Sequence, residues 1–235
     1  MTDKEQAENR CVLIVGAHPD DADFTCGGSI ARWIAEGWTA RLVVCTDGSK
    51  GSHDPAVIPA RLVARRQEEQ LAAAEVLGIS EAVFLNNPDG ELNRAVGLVA
   101  EITRLIRRFR PQRVLAWDPW RRYQLHPDHR AAGLATLDAV LAAGNPHYFP
   151  EQVAQGLATH QLQEAYLFGA DSPDVWVDIS STFERKLGAI ACHRSQVERL
   201  PKWAEEILRC NADCGRQPGC NYAEAFKVLD SLCDT

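Results

Sequence analysis

The chain has 235 residues, of which 46% are hydrophobic and 24% charged, a composition typical of a soluble globular protein with a sizeable core. Its formal net charge of −7 and its scattered arginines argue against a nucleic-acid partner. No apolar run approaches the roughly eighteen residues of a membrane span, and the polar start MTDKEQAENR carries no secretory signal. We therefore expect a cytoplasmic protein with no membrane partner.

Short runs rich in β-branched residues alternate along the chain with longer segments of helical periodicity. The runs predict strands at 11–17, 40–46, 82–86, 113–117, 164–169 and 174–179. Apolar residues at helical spacing predict helices at 26–36, 60–77, 91–109 and 128–142, and a helical part from about residue 181 onward. Because no internal repeat is visible, the pattern predicts one α/β domain over 1–235, with a doubly wound, mostly parallel sheet and helices on both faces.

Two histidine-rich segments follow predicted strands of this sheet. The first, AHPDD, occupies 17–21, and the second, HPDHR, occupies 126–130. In an open α/β sheet, the segments after the carboxyl ends of the strands form the ligand crevice, so we expect the two to meet there. A dinucleotide site is not expected, because G-x-G-x-x-G is absent and Pro19 removes a backbone N–H that a pyrophosphate would need.

The residue types in these two segments are those of a catalytic zinc site. Such a site takes three protein ligands, commonly histidines and a carboxylate, and leaves one position open. His18 and Asp21 are close enough across a turn to face one ion, and His129 arrives from a distant strand end. A turn or a helix cap would explain either segment alone, but both segments on one rim favour a metal site.

The neighbouring residues supply the remaining parts of a hydrolytic site. A water molecule activated by a metal still needs a base, and Asp20 lies beside the ligands without being one. His126, if positively charged, would stabilise the oxyanion of a tetrahedral intermediate. Asp128 is placed to orient one of the imidazoles.

The segment AHPDDADFTCGG at 17–28, together with HPDHR, resembles the signature of the LmbE-like (PIG-L) zinc-dependent deacetylases. Further segments agree in the same order: Thr46-Asp47-Gly48, Arg66-x-x-Glu69, Asp89-Gly90, Asp178-Ile179 and His193-x-Ser195-Gln196. The resemblance implies a Rossmann-like fold, a zinc cofactor and removal of an N-acetyl group from a small amino-sugar substrate such as an N-acetylglucosamine derivative.

The resemblance also implies a role for individual residues. It assigns His18, Asp21 and His129 to zinc, Asp20 to the base and His126 to transition-state stabilisation. It adds Arg66 and Asp89 as residues that hold sugar hydroxyls, a task suited to charge-assisted hydrogen bonds. It further implies a homo-oligomer such as a hexamer.

The sequence is also compatible with a second reaction, the hydration of the carbon–carbon double bond of a small unsaturated dicarboxylate. A hydratase would use the same zinc and the same neighbouring acid. A metal-binding module without catalysis is a poorer explanation, because it has no use for Asp20 and His126.

The eight cysteines divide into two groups. Four lie in or beside apolar segments, where reduced cysteine behaves as a small hydrophobe: Cys11, Cys26, Cys45 and Cys192. The others lie in a C-terminal stretch rich in Gly, Pro and Asn: Cys210, Cys214, Cys220 and Cys233. The spacing C-x3-C-x5-C matches no common zinc module, and a disulfide or a second metal site stays open there.

Overall fold

The structure is a computed structural model that describes residues 10–230 and residue 232. It contains the strands β1 (Cys11–Gly16), β2 (Thr39–Thr46), β3 (Glu81–Asn87), β4 (Arg113–Trp117), β5 (Glu164–Phe168), β6 (Val175–Asp178) and β7 (Ala223–Leu229). These strands form one sheet in the order β3-β2-β1-β4-β5-β7-β6. The strands β1 to β5 are parallel to one another, whereas β7 runs antiparallel to both β5 and β6.

The helices are α1 (Asp21–Ala35), α2 (Pro59–Leu77), α3 (Leu98–Phe109), α4 (Pro127–Gly144), α5 (Pro150–Ala154), α6 (Phe183–Cys192), α7 (Arg194–Val197) and α8 (Trp203–Gly215). Helices α1 and α2 both pack on α6, and α3 packs on α4, so that helices cover both faces of the sheet. The doubly wound, mostly parallel fold predicted from the sequence is therefore confirmed. Within 10–230, no helix combines the length and the hydropathy that crossing a bilayer requires.

Strand β1 is an interior strand of the sheet and determines where a ligand can bind. All six of its residues are buried, as expected for a parallel strand covered on both faces. It pairs with β2 on one side and with β4 on the other, so the direction of strand succession reverses between β1 and β4. Ligands of open α/β sheets bind at such a switch point. The two histidine-rich segments follow these two strands.

Helix α1 begins five residues before the predicted start because it is kinked. Cys26, at φ −138° and ψ 15°, interrupts the helical conformation. The amides of Gly28 and Ser29, freed by the kink, donate to Glu224 at 3.0 and 2.7 Å. A Cβ on Gly28 would lie 2.6 Å from Ile179, so this close approach requires glycine. Periodicity in the sequence detects only the part of α1 beyond the kink.

The predicted helix at 91–109 is interrupted in a similar way. A short 3-10 turn covers Leu92–Arg94, and α3 begins only after Gly97, whose φ of +91° reverses the chain. The glycine allows this conformation at little steric cost.

The prediction of a helical part from about residue 181 is correct for α6, α7 and α8 and wrong for β7. Ala, Glu and Lys are depleted in strands, so the local sequence around Glu224 favours a helix. The segment nevertheless lies between β5 and β6, with Phe226 fully buried. Glu224 is buried too and pairs with Lys186 at 2.6 Å. Pairing within the sheet overrides the local preference.

The described cysteines are all free thiols. Cys11, Cys26 and Cys45 are buried as predicted, and burial raises the pKa of Cys11 to about 11 against the lowering effect of Arg41. Over 10–230 there is no disulfide among Cys210, Cys214 and Cys220, and Cys233 lies outside the described residues.

Candidate active site

A cavity of about 410 Å³ opens at the carboxyl edge of the sheet, and we call it the polar cavity. The segments that follow β1, β2, β3 and β4 contribute to its wall, together with one residue of α2. Its lining residues are His18, Asp20, Asp21, Lys50, Gly51, Arg66, Asp89, Gly90, His126, Pro127 and His129. The two histidine-rich segments therefore meet, and this cavity brings together every predicted catalytic, metal-binding and substrate-binding residue.

Hydrogen bonds to one carboxylate oxygen hold Asp21 rigidly, and its other carboxylate oxygen is available for a further contact. Its Oδ2 accepts hydrogen bonds from the amides of Ala17 and His18 and from Trp117 Nε1, at 2.7, 2.9 and 2.9 Å. Its Oδ1 lies 3.5 Å from His129 Nε2. Burial raises the pKa of Asp21, but hydrogen bonds with His129 and His18 outweigh it and hold the pKa well below its usual range. Asp21 is thus an anion with Oδ1 facing the histidines.

Carboxylates surround the His18 imidazole. Its Nε2 lies 3.1 Å from Asp128 Oδ2 and 3.2 Å from Asp89 Oδ1, while its Nδ1 lies 3.7 Å from Asp21 Oδ2. Burial lowers the pKa of His18, but the hydrogen bonds to Asp128, Asp21 and Asp89 raise it to about 12. A position with this much negative charge attracts a cation. Because Asp128 and Asp89 both contact Nε2, Nδ1 is the ring nitrogen that remains to bind such a cation.

His18, His126 and His129 each offer a ring nitrogen within 4.8 Å of those of the other two. His129 stacks on the indole of Trp117, with the ring centroids 3.9 Å apart and the planes 10° apart. Its Nδ1 is buried and has no hydrogen-bond partner within the described part of the chain. The other ring nitrogen, Nε2, faces the anionic Asp21. An imidazole nitrogen beside an anionic carboxylate and two further imidazoles is what a site built for a metal ion contains.

The surroundings of His126 favour a neutral imidazole with its proton on Nε2. Its Nδ1 accepts the backbone N–H of Asp128 at 3.3 Å, so in the neutral ring the proton is on Nε2. Burial lowers the pKa of His126, and the positive charge near His18 and His129 lowers it further. The sequence-based hypothesis requires a positively charged His126, and the structure instead supports a neutral imidazole with an Nε2–H.

Asp20 adopts a strained backbone conformation. Its φ of +99° is unusual for a residue other than glycine and costs about 1–3 kcal/mol. Its N–H donates to Gln70 Oε1 at 2.7 Å, and its Oδ2 accepts from Arg66 Nη2 at 3.0 Å. Burial raises the pKa of Asp20 to about 6, although Arg66 opposes the change. The reversed backbone directs Asp20 towards Arg66 while Asp21 contacts the histidines.

Arg66 and Asp89 line the polar cavity, as expected for residues that touch a substrate, but each also contacts a neighbouring functional side chain. The Arg66 guanidinium is buried and donates to Gly48 O and Pro19 O at 3.0 and 2.6 Å, besides its bond to Asp20. A Cβ on Gly48 would lie 2.7 Å from Arg66 Nη1, so the loop can approach the guanidinium only with glycine there. Asp89 similarly contacts His18.

Sequence reasoning misses a chain of buried polar contacts behind Asp20. Gln70 is fully buried, and its Nε2 donates to Asp23 Oδ2 at 2.8 Å. His193 Nε2 lies 2.8 Å from the same oxygen. The segments that carry the family resemblance include His193, whereas Asp23 departs from the family pattern, in which many members have Glu. Nothing in the sequence marks Gln70, whose role depends on contacts 47 and 50 residues away in the chain.

The His193–Asp23 pair makes the stability of the fold depend on pH. Burial lowers the pKa of His193, but Asp23 raises it more, so the folded pKa exceeds the unfolded value. The resulting stabilisation is complete below about pH 6.5 and is lost as pH rises through the folded pKa. We expect the difference in unfolding free energy between wild type and His193→Gln to shrink from about pH 6 to about pH 9, as measured by denaturant titration.

His160 provides a control of opposite sign. Burial lowers the pKa of His160, so the unfolded chain binds the extra proton. The difference between wild type and His160→Gln should therefore grow with pH, chiefly below about pH 6.5, where the unfolded chain still holds the proton. A His193→Gln difference that also grows with pH would contradict the assignment of a charged His193.

The family model of the GlcNAc-PI de-N-acetylases, PIG-L, matches residues 13–140, which is more than half of the chain. The chain belongs to the PIG-L family. Diacetylchitobiose deacetylase of Thermococcus kodakarensis is 36% identical over 223 residues, which cover 94% of this PIG-L protein and 84% of the relative. The sequence-based assignment to this family is confirmed.

Solved structures agree with the family assignment. The structure of N,N'-diacetylchitobiose deacetylase from Pyrococcus horikoshii superposes with a TM-score of 0.90 at 30% identity, covering 98% of this chain and 87% of that one. The predicted Rossmann-like fold and the predicted enzyme class, an N-deacetylase that hydrolyses an amide, are thereby confirmed at the level of the family.

The 4-carboxy-2-hydroxymuconate hydratase of Pseudomonas putida also superposes, with a TM-score of 0.80 at 24% identity over 94% of this chain and 96% of that one. A likeness at this identity shows a shared fold, and one fold can host several reactions. The hydratase alternative is therefore not favoured for this PIG-L protein.

Proposed function

We propose that this PIG-L protein is a zinc-dependent hydrolase that removes the N-acetyl group from an amino sugar or an N-acetylglucosamine-containing metabolite. The observation that carries the proposal is the state of Asp21, whose Oδ2 accepts three N–H groups while Oδ1 faces His129. A cytoplasmic location and a homo-oligomeric state such as a hexamer belong to the same proposal.

The residues present suit zinc. His18 through Nδ1, Asp21 through Oδ1 and His129 form a set of two imidazoles and one carboxylate, which is a common ligand set of catalytic zinc. Asp128 accepts from the far nitrogen of His18 and orients the ring, as residues behind metal-ligating histidines do. When bound, zinc supplies a Lewis acid that polarises the amide carbonyl and acidifies a water molecule.

Asp20 is the base in this proposal. Its carboxyl lines the cavity, and a pKa of about 6 lets it be ionised at neutral pH and still accept a proton. It takes the proton from the attacking water and passes it to the departing nitrogen. The Nε2–H of His126 donates to the oxyanion, as donors of an oxyanion hole do. The products are acetate and the free amine.

Arg66 and Asp89 retain their proposed contact with sugar hydroxyls. Both lie in the wall of the polar cavity beside Lys50, whose backbone N–H donates to Asp89 at 2.9 Å. The contacts of Arg66 with Asp20 and of Asp89 with His18 couple the sugar side of the cavity to the reacting groups.

Gln70 positions the proposed base, and its replacement tests that role. Gln70→Leu removes the acceptor of the Asp20 N–H while Asp20 keeps its strained φ. Because a displacement of about 1 Å can cost 10²-fold in rate, we expect kcat to fall about 30-fold with KM and metal content little changed. Steady-state kinetics and metal analysis measure this.

Gln152→Leu is the matched control for Gln70→Leu. Gln152 is equally buried, but it lies on α5, bonds to Arg107 and Ala100 of α3, and does not line the polar cavity. Both variants should lose stability, and only Gln70→Leu should lose kcat. An equal loss of kcat in the two variants would show that the effect is general destabilisation.

The proposed function is tested by following acetate release from N-acetylated amino sugars by the zinc-loaded protein. The hydratase reaction is followed in parallel as the loss of enoate absorbance from an unsaturated dicarboxylate. We expect the first signal and not the second.

A further inference from the structure

A second cavity, of about 570 Å³, adjoins the polar cavity, and we call it the apolar cavity. It is lined by Asp20, Asp21, Phe24, Thr25, His53, Asp54, Trp117, His129, Gln196, Arg199 and Leu200. It shares Asp20, Asp21 and His129 with the polar cavity. A substrate carbon that reaches these three residues therefore has free space in two directions.

The two cavities differ in chemistry. The walls of the polar cavity carry three charged side chains besides the proposed ligands and base, namely Lys50, Arg66 and Asp89. The apolar cavity instead presents the rings of Phe24 and Trp117 and the aliphatic side chain of Leu200. Its exposed polar residues are His53 and Asp54, in the loop between β2 and α2, and Arg199, which follows α7.

An amide presents two different substituents to these two cavities. The amine side of the substrate, an amino sugar in the proposed function, carries hydroxyl groups that need hydrogen-bond partners, which the polar cavity offers. The acyl side carries only hydrocarbon, which gains from contact with apolar walls. With the carbonyl carbon beside Asp20 and Asp21, the acyl group extends into the apolar cavity.

We propose that the apolar cavity holds the acyl side of the amide and that the enzyme hydrolyses linear N-acyl groups longer than acetyl. This inference rests on the proposed function. The reaction is unchanged, since water adds to the carbonyl, the C–N bond breaks, and a carboxylate and an amine leave. A methyl group occupies about the volume of one water molecule, roughly 30 Å³, so an acetyl group leaves most of this cavity unfilled.

The energetic consequence is a dependence of rate on chain length. Each methylene moved from water to an apolar wall contributes at most about 0.8 kcal/mol, which is about fourfold in kcat/KM. Leu200 is 47% exposed, so the wall is partly open to solvent and burial of the chain is incomplete. We expect a gain of about two- to fourfold for each added methylene from acetyl through butyryl.

The experiment uses the zinc-loaded full chain and glucosamine carrying an N-acetyl, N-propionyl, N-butyryl or N-hexanoyl group, with the released amine as readout. Leu200→Asp places a charge on the apolar wall and should reduce the butyryl-to-acetyl ratio of kcat/KM to about one. Leu208→Asp is the matched control, because Leu208 has nearly the same exposure, 45%, and lies on α8 outside both cavities. Its ratio should equal that of wild type.

The outcomes separate this inference from the function on which it rests. Hydrolysis of the acetyl compound together with more than tenfold slower hydrolysis of the butyryl compound would overturn the inference and leave the deacetylase function intact. Hydrolysis of none of the compounds would instead count against the deacetylase function. N,N'-diacetylchitobiose provides one further arm. If Leu200→Asp impairs hydrolysis of this disaccharide but leaves the acyl series unchanged, the apolar cavity holds a second sugar ring and the inference is wrong.

Discussion

Asp20→Asn lowers kcat/KM for amide hydrolysis by about 10³-fold while metal content stays near that of wild type. An amide has the size of the carboxylate and can still accept a hydrogen bond from Arg66, but it cannot take the proton of the attacking water. General-base catalysis typically contributes about 10²- to 10⁴-fold, which sets the expected loss. Steady-state kinetics and metal analysis on the same preparation measure both quantities.

Asp138→Asn is the control for this substitution. Asp138 lies exposed on α4 and lines neither cavity, so the same chemical change there should leave kcat/KM unaltered. Wild-type activity in Asp20→Asn would remove Asp20 as the base. Loss of metal together with loss of activity would instead show that Asp20 helps to hold the ion.

Replacing a proposed ligand abolishes metal binding and activity together. Asp21→Ala removes the carboxylate that faces His129 and leaves the N–H groups of Ala17, His18 and Trp117 without their acceptor. Each buried donor left unpaired costs about 1–3 kcal/mol, so this variant also loses stability. His129→Gln is the milder second variant, because the contacts of Asp21 with these donors remain.

The readout for the ligand variants is thermal stability as well as activity. Removing metal from wild type with a chelator should abolish activity, and adding zinc should restore activity and raise the melting temperature, since a ligand that binds the folded state stabilises it. Neither effect should occur in Asp21→Ala or His129→Gln at the same zinc concentration. A zinc-dependent increase in melting temperature of wild-type size in both variants would contradict the proposed ligand set.

The sequence predicts where this site lies in the fold, because the carboxyl ends of parallel strands meet at one edge of a sheet. The segment AHPDD follows β1 and the segment HPDHR follows β4. This order alone predicts that His18 and Asp21 lie near His129, although His129 is more than a hundred residues further along the chain. Short apolar runs, several of them rich in β-branched or aromatic residues, likewise place β1 to β6 among the strands of the described residues.

What the sequence does not predict depends on contacts between distant segments. Strand β7 carries Ala, Glu and Lys, and only its place between β5 and β6 makes it a strand. The neutral state of His126 follows from the Asp128 N–H on its Nδ1 and from nearby positive charge. Gln70 gains its role from the strained backbone of Asp20. None of these leaves a local signal in the residues themselves.

In the proposed function, the two histidine-rich segments form a metal site that hydrolyses the amide of an N-acetylated amino sugar. The most direct test incubates the zinc-loaded protein with N-acetylglucosamine derivatives and with N,N'-diacetylchitobiose, and quantifies acetate and free amine. We predict equimolar release of both products, lost on metal removal and restored by zinc. Absence of acetate release from every such compound, while the same protein consumes an unsaturated dicarboxylate, would contradict the claim.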